Sequence, residues 1–403
     1  MTRTRIFVFL STVFIVLSIG LVLSLYARGY RFDFDKTQFT PNGLLVIKSD
    51  PDGAQVLING ELKTATNATV PLPPATYDIS VQKEGYITWS KRLKIDKEIV
   101  TESTAHLFKS APSLSSITFL SSINPTPSRD FSKIAYAVPP NLTNNNEDKS
   151  GLWVMEMINL PLGFSREPQR ITDGNLSNAD WKWSPDGRQI LITKQTSVFL
   201  LNSGDFTPQN RLINVASRKE EILKEWEEEL AKKLKSQLAR LPDKLESILV
   251  RKASTTLISP DEDMVLYTAS GSATIPDELI KPVPGASTQK QERNIKNRNT
   301  YVYDIKEDRN FLIDSEDNLI IEGGFISKAE RRLSWLPTSR HLIIAEKEKV
   351  IIMDYDGTNR QTVYAGSYVA PNAFPTLSTD RLIILTNLGA NSSPPNLYSL
   401  SIK

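Results

Sequence analysis

A polar turn followed by an apolar strand recurs along the second part of the chain, and this repeat restricts the fold more than any other feature. The clearest copy is SPDGRQILIT at residues 184–193, directly after Trp183. Four weaker copies are SRDFSKIAYA (128–137), SPDEDMVLYT (259–268), PTSRHLIIAE (337–346) and STDRLIILTN (378–387). In this alignment of the five copies, Ser339 stands at the position of Asp186, and Gly187 is the only glycine at its position. The motif therefore indicates a turn rather than a shared acidic site.

Further strands follow most copies, so each repeat predicts a four-stranded antiparallel sheet. Examples are Val198–Leu201 and Val350–Met353. The last two copies begin 41 residues apart, at 337 and 378, within the range of about 40–50 residues for propeller blades. Each repeat buries the faces of its sheet only by stacking on neighbouring repeats, and in a closed ring every repeat has a neighbour on both faces. The sequence therefore predicts a mainly β protein with a β-propeller of about five or six blades over residues 113–403.

The Trp183–Gly187 motif resembles WD-type and TolB-like propellers, including that of the prolyl-oligopeptidase N-terminal region. The resemblance implies the fold and says little about activity, because propellers serve unrelated functions.

Two insertions interrupt the repeats. Residues 217–250 predict a helical insertion, because apolar side chains recur every three or four residues on one face. That face either packs on its own propeller or docks a partner, and in the second case Trp226, Leu230 and Leu234 are exposed candidate partner-binding residues. Residues 271–299 are rich in proline, serine, glutamine and charge, and predict a mobile loop on one rim.

The N-terminus begins with MTRTR and continues with twenty uncharged residues, Ile6–Leu25. As a helix this run is about 30 Å long, which matches the hydrocarbon core of a bilayer. Arg3 and Arg5 favour a cytoplasmic N-terminus. A cleaved signal peptide is the alternative, although its apolar core is normally shorter. We expect residues 1–28 to form a single-pass transmembrane anchor that leaves the later domains extracytoplasmic.

Residues 42–97 alternate strand-like runs with turn sequences, which predicts a small antiparallel β-sandwich. The segments Ser49–Ala54, Val56–Gly60 and Gly85–Trp89 resemble the PEGA domain, although Pro51 is followed by Asp52 where the family name has glutamate. The resemblance implies an extracytoplasmic module without catalytic residues. Residues 98–112 are then a linker.

Two aromatic residues of this module, Tyr86 and Trp89, have two interpretations. They form an exposed platform for a glycan, which makes them candidate partner-binding residues, or they fill a small core.

Groups for catalysis or metal binding are scarce. The chain has no cysteine and two histidines, His106 and His341, and no Gly-x-Ser-x-Gly nucleophile motif. Asp314, Glu316 and Asn318 have the spacing of the start of a calcium loop, but Leu319 stands where glycine is required. We therefore predict no catalytic residue, no metal and no cofactor.

The net charge of +2 does not indicate a nucleic-acid partner. The sequence favours a membrane-anchored extracytoplasmic binding or scaffold protein of the cell envelope, with an envelope protein or cell-wall glycan as partner. The alternative is an envelope enzyme that cleaves glycan or peptide in the propeller funnel.

Overall fold

A computed structural model describes residues 3–27, 30–33, 38–140, 149–157, 167–281, 287–315, 319–321, 331–390 and 393–403. The protein is mainly β, as predicted. It divides into two compact units, residues 1–107 with 282–290, and residues 108–281 with 291–403.

The first unit begins with helix α1 (Arg3–Ala27), whose apolar side chains are exposed. Its length and composition suit a membrane span, and a signal sequence has the same properties. A short antiparallel pair follows, β1 (Tyr30–Asp33) and β2 (Gln38–Pro41).

Two sheets with a common hydrophobic core form the rest of this unit. The seven strands are β3 (Gly43–Asp50), β4 (Gln55–Ile58), β5 (Glu61–Ala65), β6 (Ala68–Leu72), β7 (Ala75–Gln82), β8 (Trp89–Ile95) and β9 (Val100–His106). One sheet has the order β6-β3-β9 and the other the order β5-β4-β7-β8. Alternate side chains, such as Leu45 and Ile47 of β3 and Ile79 and Val81 of β7, pack between the sheets, as the two-residue period of a strand requires.

The prediction that residues 98–112 form a linker is wrong for the first half of this range. Strand β9 lies there and pairs in parallel with β3, so the sandwich is not purely antiparallel. Only Thr101 and Ala105 of β9 are buried, and with so little apolar surface this strand has no hydrophobic pattern in the sequence.

In its described residues, the second unit contains five sheets of three or more strands, labelled A to E. Sheet A has strands β11 (Ile123–Pro127), β12 (Lys133–Val138), β13 (Gly151–Glu156) and β14 (Gln169–Asp173), after a first strand β10 (Ser113–Ser116) that belongs to sheet E. Sheet B has β15 (Asp180–Trp183), β16 (Gln189–Lys194) and β17 (Ser197–Asn202). Asn214 forms an isolated bridge with Phe199 of β17, in the position of a fourth strand.

The remaining sheets are also mainly antiparallel, and only β24 of sheet D pairs in parallel with its neighbour in their described residues. Sheet C has β18 (Ala253–Ile258), β19 (Met264–Ala269), β22 (Thr300–Asp304) and β23 (Arg309–Asp314), with the short pair β20 (Ala273–Thr274) and β21 (Asn294–Ile295) inserted. Sheet D has β24 (Leu319–Ile321), β25 (Arg331–Trp335), β26 (His341–Glu346), β27 (Lys349–Asp354) and β28 (Gln361–Ala365). Sheet E has β29 (Ala373–Pro375), β30 (Arg381–Thr386) and β31 (Asn396–Ser401), with β10 paired to β31.

The described part of the predicted mobile loop 271–299 is held by backbone pairing and burial. Strands β20 and β21 pair there, and Ile275 and Ile295 are buried. Within the first unit, Ser287 bridges to Leu93 of β8 and the Thr288 hydroxyl donates to the Arg92 carbonyl at 2.6 Å.

Hydrophobic clusters join one sheet of the second unit to the next. Separate clusters contain side chains from sheets A and B, C and D, D and E, and E and A. Between B and C, the helices α2 (Lys219–Leu238) and α3 (Asp243–Lys252) supply the packing instead. The first turns of α2 pack on sheet B, and its last turn and α3 pack on sheet C.

Candidate functional site

The turn at Ser184–Gly187 uses its polar groups internally. The Ser184 hydroxyl donates to Asp186 Oδ1 at 2.6 Å and accepts the backbone N–H of Gln189 at 2.9 Å. The hydrogen bond from Ser184 is the main cause that lowers the pKa of Asp186 below its usual value. Gly187 has φ +67°, a left-handed conformation that favours glycine. The motif is thus a turn whose carboxylate stabilises its own backbone.

The other copies repeat this geometry and correct the sequence alignment. Ser339 N–H donates to Leu336 O at 3.0 Å, as Gly187 N–H donates to Ser184 O at 3.0 Å, and φ of Ser339 is +57°. Ser339 is therefore the counterpart of Gly187, whereas the alignment matched it to Asp186 and was wrong by one residue. The error arose because leucine replaces the turn serine at position 336.

Neighbouring sheets contact each other through these same turns. The Trp183 indole donates to Thr126 O of sheet A at 2.9 Å, and the Lys133 ammonium donates to Gly187 O at 3.3 Å. Between sheets C and D, Asp261 N–H donates to the Ser339 hydroxyl at 3.0 Å. The repeated motif therefore builds contacts between sheets.

His341 lies between a hydroxyl and a carboxylate. Its Nδ1 is 2.8 Å from the Thr338 hydroxyl and its Nε2 is 3.6 Å from Asp354 Oδ1. The order of groups is that of a hydrolase triad, but the imidazole and the carboxylate are buried and the Phe108 ring packs edge-on against His341 at 5.4 Å. Burial of both groups and the packed Phe108 ring favour a structural role for this arrangement. His106 lies in the first unit, with its Nδ1 3.6 Å from Asp50 Oδ2.

The calcium-like spacing falls partly outside the described residues, which exclude Glu316 and Asn318. Asp314 instead pairs with Arg331, with Oδ2 and Nη2 2.9 Å apart. In the described part of the chain no group of three or more histidine, aspartate or glutamate side chains is arranged to hold a metal ion.

The structure places the candidate residues of α2 on the side that faces the second unit. Trp226 is 7% exposed and packs with Ile222 against Leu191 and Val198 of sheet B. Leu234 is half-buried against the cluster of sheet C, and Leu230 is half-buried. The hypothesis that this helix docks a partner requires an exposed face of leucine and tryptophan side chains. Because Trp226 is buried, the hypothesis is wrong for this residue. The cause is that sheets B and C leave an apolar gap that this face fills.

In the first unit, Trp89 is 2% exposed and lies in the sandwich core, and half-buried Tyr86 packs on the same core. The interpretation of Trp89 as part of an exposed aromatic platform is therefore wrong. A sandwich with short strands needs large side chains to fill its centre.

The sequence of the first unit is similar to a known domain family. Residues 42–111 match the PEGA domain. The resemblance found in the sequence is thus confirmed, and the match includes strand β9 of the PEGA domain. No curated protein matches the chain.

Three solved structures similar to the chain have low sequence identity and low TM-scores. A protein described as TolB from Agrobacterium tumefaciens is 13% identical with a TM-score of 0.22, over 71% of this chain and 80% of that one. The Cps50 (Swd1) β-propeller domain of Myceliophteria thermophila is 13% identical with a TM-score of 0.18, over 72% and 73% of the two chains. TolB from Acinetobacter baumannii is 12% identical with a TM-score of 0.19, over 81% and 59%. The strand pairing of the second unit itself defines its sheets.

One surface was missed by reasoning from the sequence. In the loop at residues 117–122, here the Phe119 loop, Phe119 is 80% exposed and Leu120 is also exposed, as is Leu388 in the connection between β30 and β31. The sequence signal for this surface is a lack of charge, because residues 110–128 and 382–402 contain no charged residue. Exposed aromatic and aliphatic side chains on an uncharged surface are typical of contact sites.

Proposed function

We propose that this chain is a membrane-anchored extracytoplasmic binding protein of the cell envelope, in which a PEGA domain precedes a closed β-propeller. The observation that carries the proposal is the order of parts along the chain. An exposed apolar helix at residues 5–27 is followed directly by the match to the PEGA domain at residues 42–111. Because PEGA domains are extracytoplasmic modules, this order supports a single-pass anchor with a cytoplasmic N-terminus.

A ring with five blades is the arrangement of the second unit that its packing supports best. Sheet E pairs the first strand of the unit, β10, with the last, β31, which is how a propeller joins its two ends. Clusters join A to B, C to D, D to E and E to A. In this proposal α2 and α3 fill the fifth junction, between B and C.

A closed ring presents loops on two rims and no long open edge, and these loops offer a binding surface. The partner we propose is an envelope protein or a cell-wall glycan. Absence of catalysis stays a prediction. The enzyme alternative requires accessible catalytic groups, whereas the imidazole of His341 and the carboxylate of Asp354 are buried.

Membrane vesicles of known orientation test the topology. Protease added to right-side-out vesicles should degrade residues 42–403 and leave α1, whereas inverted vesicles should protect the same residues. Recovery of the chain in the soluble fraction, without residues 1–28, would show a cleaved signal peptide and contradict the anchor.

Binding requires a separate test with the full chain in detergent. Purified cell-wall glycan and solubilised envelope proteins serve as two probes. Deletion of residues 217–250 is unsuitable, because it removes core side chains such as Trp226 and Leu245. Retention of neither probe, or turnover of glycan fragments, would contradict the binding role.

A further inference from the structure

Three loop segments meet at one end of sheet E. Strand β10 ends at Ser116, which pairs with Tyr398 near the start of β31, so the Phe119 loop lies at the end of the sheet where β31 begins. The antiparallel neighbour β30 ends there, and β29 begins there. Residues 387–390 after β30 and residues 366–372 before β29 are therefore at the same end. We call these three segments the apolar end of sheet E.

The apolar end combines exposed hydrophobic side chains with a lack of charge. Its exposed side chains are Phe119, Leu120, Val369 and Leu388. The three segments contain no Asp, Glu, Lys or Arg. Charges lie at the opposite end of the same sheet, where Lys109 Nζ is 2.9 Å from Ser401 Oγ and Asp380 Oδ2 is 3.1 Å from Arg381 Nη2. Sheet E is thus polarised along its strands.

The Phe119 loop bonds its polar groups internally and to β31. Asn396 Oδ1 accepts from the Thr118 hydroxyl at 3.1 Å and from the Ser121 N–H at 2.9 Å. The hydroxyls of Thr118 and Ser122 share a hydrogen bond at 2.9 Å. This network fixes the loop on β31 while Phe119 is exposed.

The other two segments use their amide side chains in the same way. Asn372 Nδ2 donates to Val369 O at 2.9 Å, and Asn387 Nδ2 donates to Ala390 O at 3.1 Å. Moving an unbonded amide or hydroxyl out of water is costly, whereas a group that is already hydrogen-bonded loses much less. Internal bonding therefore lowers the cost of moving the apolar end out of water.

We infer that the apolar end of sheet E inserts into the surface of a lipid bilayer, with Phe119 and Leu120 reaching the acyl chains. Hydrocarbon supplies no hydrogen-bond partner and excludes charge, and the apolar end meets both conditions. A protein interface usually carries about one hydrogen bond per 100–200 Å². The amide side chains of these loops are already bonded to their own backbone, so lipid is the occupant that they favour.

A charged turn beside the apolar end limits the depth of insertion. The Tyr368 hydroxyl donates to Glu346 O at 2.6 Å, and Glu346 begins the turn Glu346-Lys-Glu-Lys349 between β26 and β27. These charges stay among water and headgroups, while a tyrosine suits the interface between the two regions. We therefore expect shallow insertion, of about 5–10 Å. The turn has two acidic and two basic residues, so insertion should not require anionic lipid.

Helix α1 brings the bilayer close to this surface. It is long and apolar enough to span a membrane, and a tether raises the effective concentration of the second contact, so weak insertion is sufficient. The inference rests on the proposed anchor in this respect. Protease protection reports on α1, however, and the measurements below report on sheet E, so the two can fail separately.

A single fluorescent label on the full chain tests the insertion. The chain has no cysteine, so Leu388→Cys introduces one thiol for a nitrobenzoxadiazole label. The chain is reconstituted in phosphatidylcholine vesicles with or without lipids that carry a nitroxide near the headgroup end of the acyl chain. We expect blue-shifted emission and strong quenching by the nitroxide. Leu377→Cys is the matched control, because Leu377 is an exposed leucine at the charged end of sheet E, and its label should stay in water.

Carboxylates placed in the Phe119 loop provide the second measurement. Phe119→Asp with Leu120→Asp changes two exposed side chains, so the fold should be retained, and far-ultraviolet circular dichroism verifies this. Insertion should weaken at least about tenfold, so that quenching of the label at position 388 falls to the level at position 377. Phe206→Asp, which changes a Phe that is 50% exposed after β17, should leave the quenching unchanged.

Four results would overturn the inference. They are equal quenching of the labels at positions 388 and 377, quenching that the two aspartates do not reduce, quenching that requires added phosphatidylglycerol, and a blue shift without quenching by the nitroxide. The third result would indicate electrostatic adsorption, and the fourth would assign the apolar end to a protein contact. None of them would alter the result of the protease test on α1.

Discussion

At the scale of single residues, the turn motif shows how a few polar atoms define a repeat. Ser184 and Asp186 satisfy backbone N–H groups of the turn, and Trp183 donates to the neighbouring sheet. Buried or half-buried polar groups need such partners, because an unsatisfied one costs about 1–3 kcal/mol. The same atoms therefore build the turn and link two sheets.

Replacement of the turn hydroxyl should destabilise the second unit. Ser184→Ala removes one donor and one acceptor, so we expect a loss of about 1 kcal/mol in the free energy of unfolding. Urea denaturation measures it. Ser217→Ala, which changes an exposed serine before α2, is the control and should have almost no effect. Equal stability of the two variants would show that the turn bonds contribute nothing.

A buried carboxylate makes stability depend on pH. Burial raises the pKa of Asp304 above its usual value of 3.8, and Arg340 opposes this shift. A folded state with a raised carboxyl pKa holds its proton more tightly than the unfolded chain. Its stability therefore falls as pH rises from the ordinary pKa through the raised one.

Asp304→Asn should remove this pH dependence. The Asn oxygen can still accept the N–H groups of Lys306 and Glu307, which both lie 2.9 Å from Asp304 Oδ1. We expect the variant to be more stable than wild type at pH 7 and equal to it below the ordinary carboxyl pKa. Urea denaturation at both pH values tests this, and a variant less stable than wild type at pH 7 would contradict it.

At the scale of elements, the helical insertion is a part of the core. Its period of three to four residues predicts an apolar face, and such a face packs equally well inside its own chain or on a partner. The structure decides between these, because Trp226 is buried on sheet B and Leu249 is buried on sheet C. Sheet B has three regular strands with Asn214 bridging at its edge, so helices complete the packing that another sheet provides elsewhere.

Truncation of the buried tryptophan should reduce stability strongly. We expect Trp226→Ala to cost about 3–5 kcal/mol, the range for large aromatic side chains in a core. Leu230→Ala, on the same helix but half-buried, should cost clearly less. Thermal unfolding followed by circular dichroism compares them. If the Trp226→Ala variant were as stable as wild type, Trp226 would again be a candidate for partner binding.

At the scale of the whole second unit, the proposed closure of the ring depends on contact between the two ends of the chain segment. Strand β31 lies between β10 and β30, and Leu400 is fully buried in the cluster that joins sheets D and E. A substitution that disrupts β31 should therefore affect the neighbouring strands β10 and β30. It should also affect sheet A, which packs on sheet E.

If the second unit is a closed ring, as proposed, Leu400→Ala should destabilise parts of it that are distant from sheet E. We expect a cost of about 2–5 kcal/mol and faster amide exchange in β11 and β12 of sheet A as well as in sheets D and E. Hydrogen exchange measures both regions. The control is Leu312→Ala, at a half-exposed position in β23. Faster exchange limited to sheets D and E would contradict a closed ring.

Much of this organisation could be predicted from the sequence, and the failures have common causes. The repeat predicted the sheets because turns such as Ser184–Gly187 are local. Strand β9 was missed because its pattern is polar. The pairing of β20 with β21 inside residues 271–299 was missed because Ile275 and Ile295 are isolated apolar residues within a polar segment. The Phe119 loop was missed because its signal is the absence of charge over two segments far apart in the chain.

By itself, the sequence determined what depends on neighbouring residues: the apolar helix, the PEGA-like strands, the repeated turns and the helical period of residues 217–250. Tertiary structure alone decided which faces are covered. It buried Trp89 and Trp226, enclosed His341, and left β10 and Phe119 open. The physical reason is that burial is a property of two surfaces. A periodic pattern defines one of them, and only the folded chain brings the second one against it or leaves it exposed to solvent.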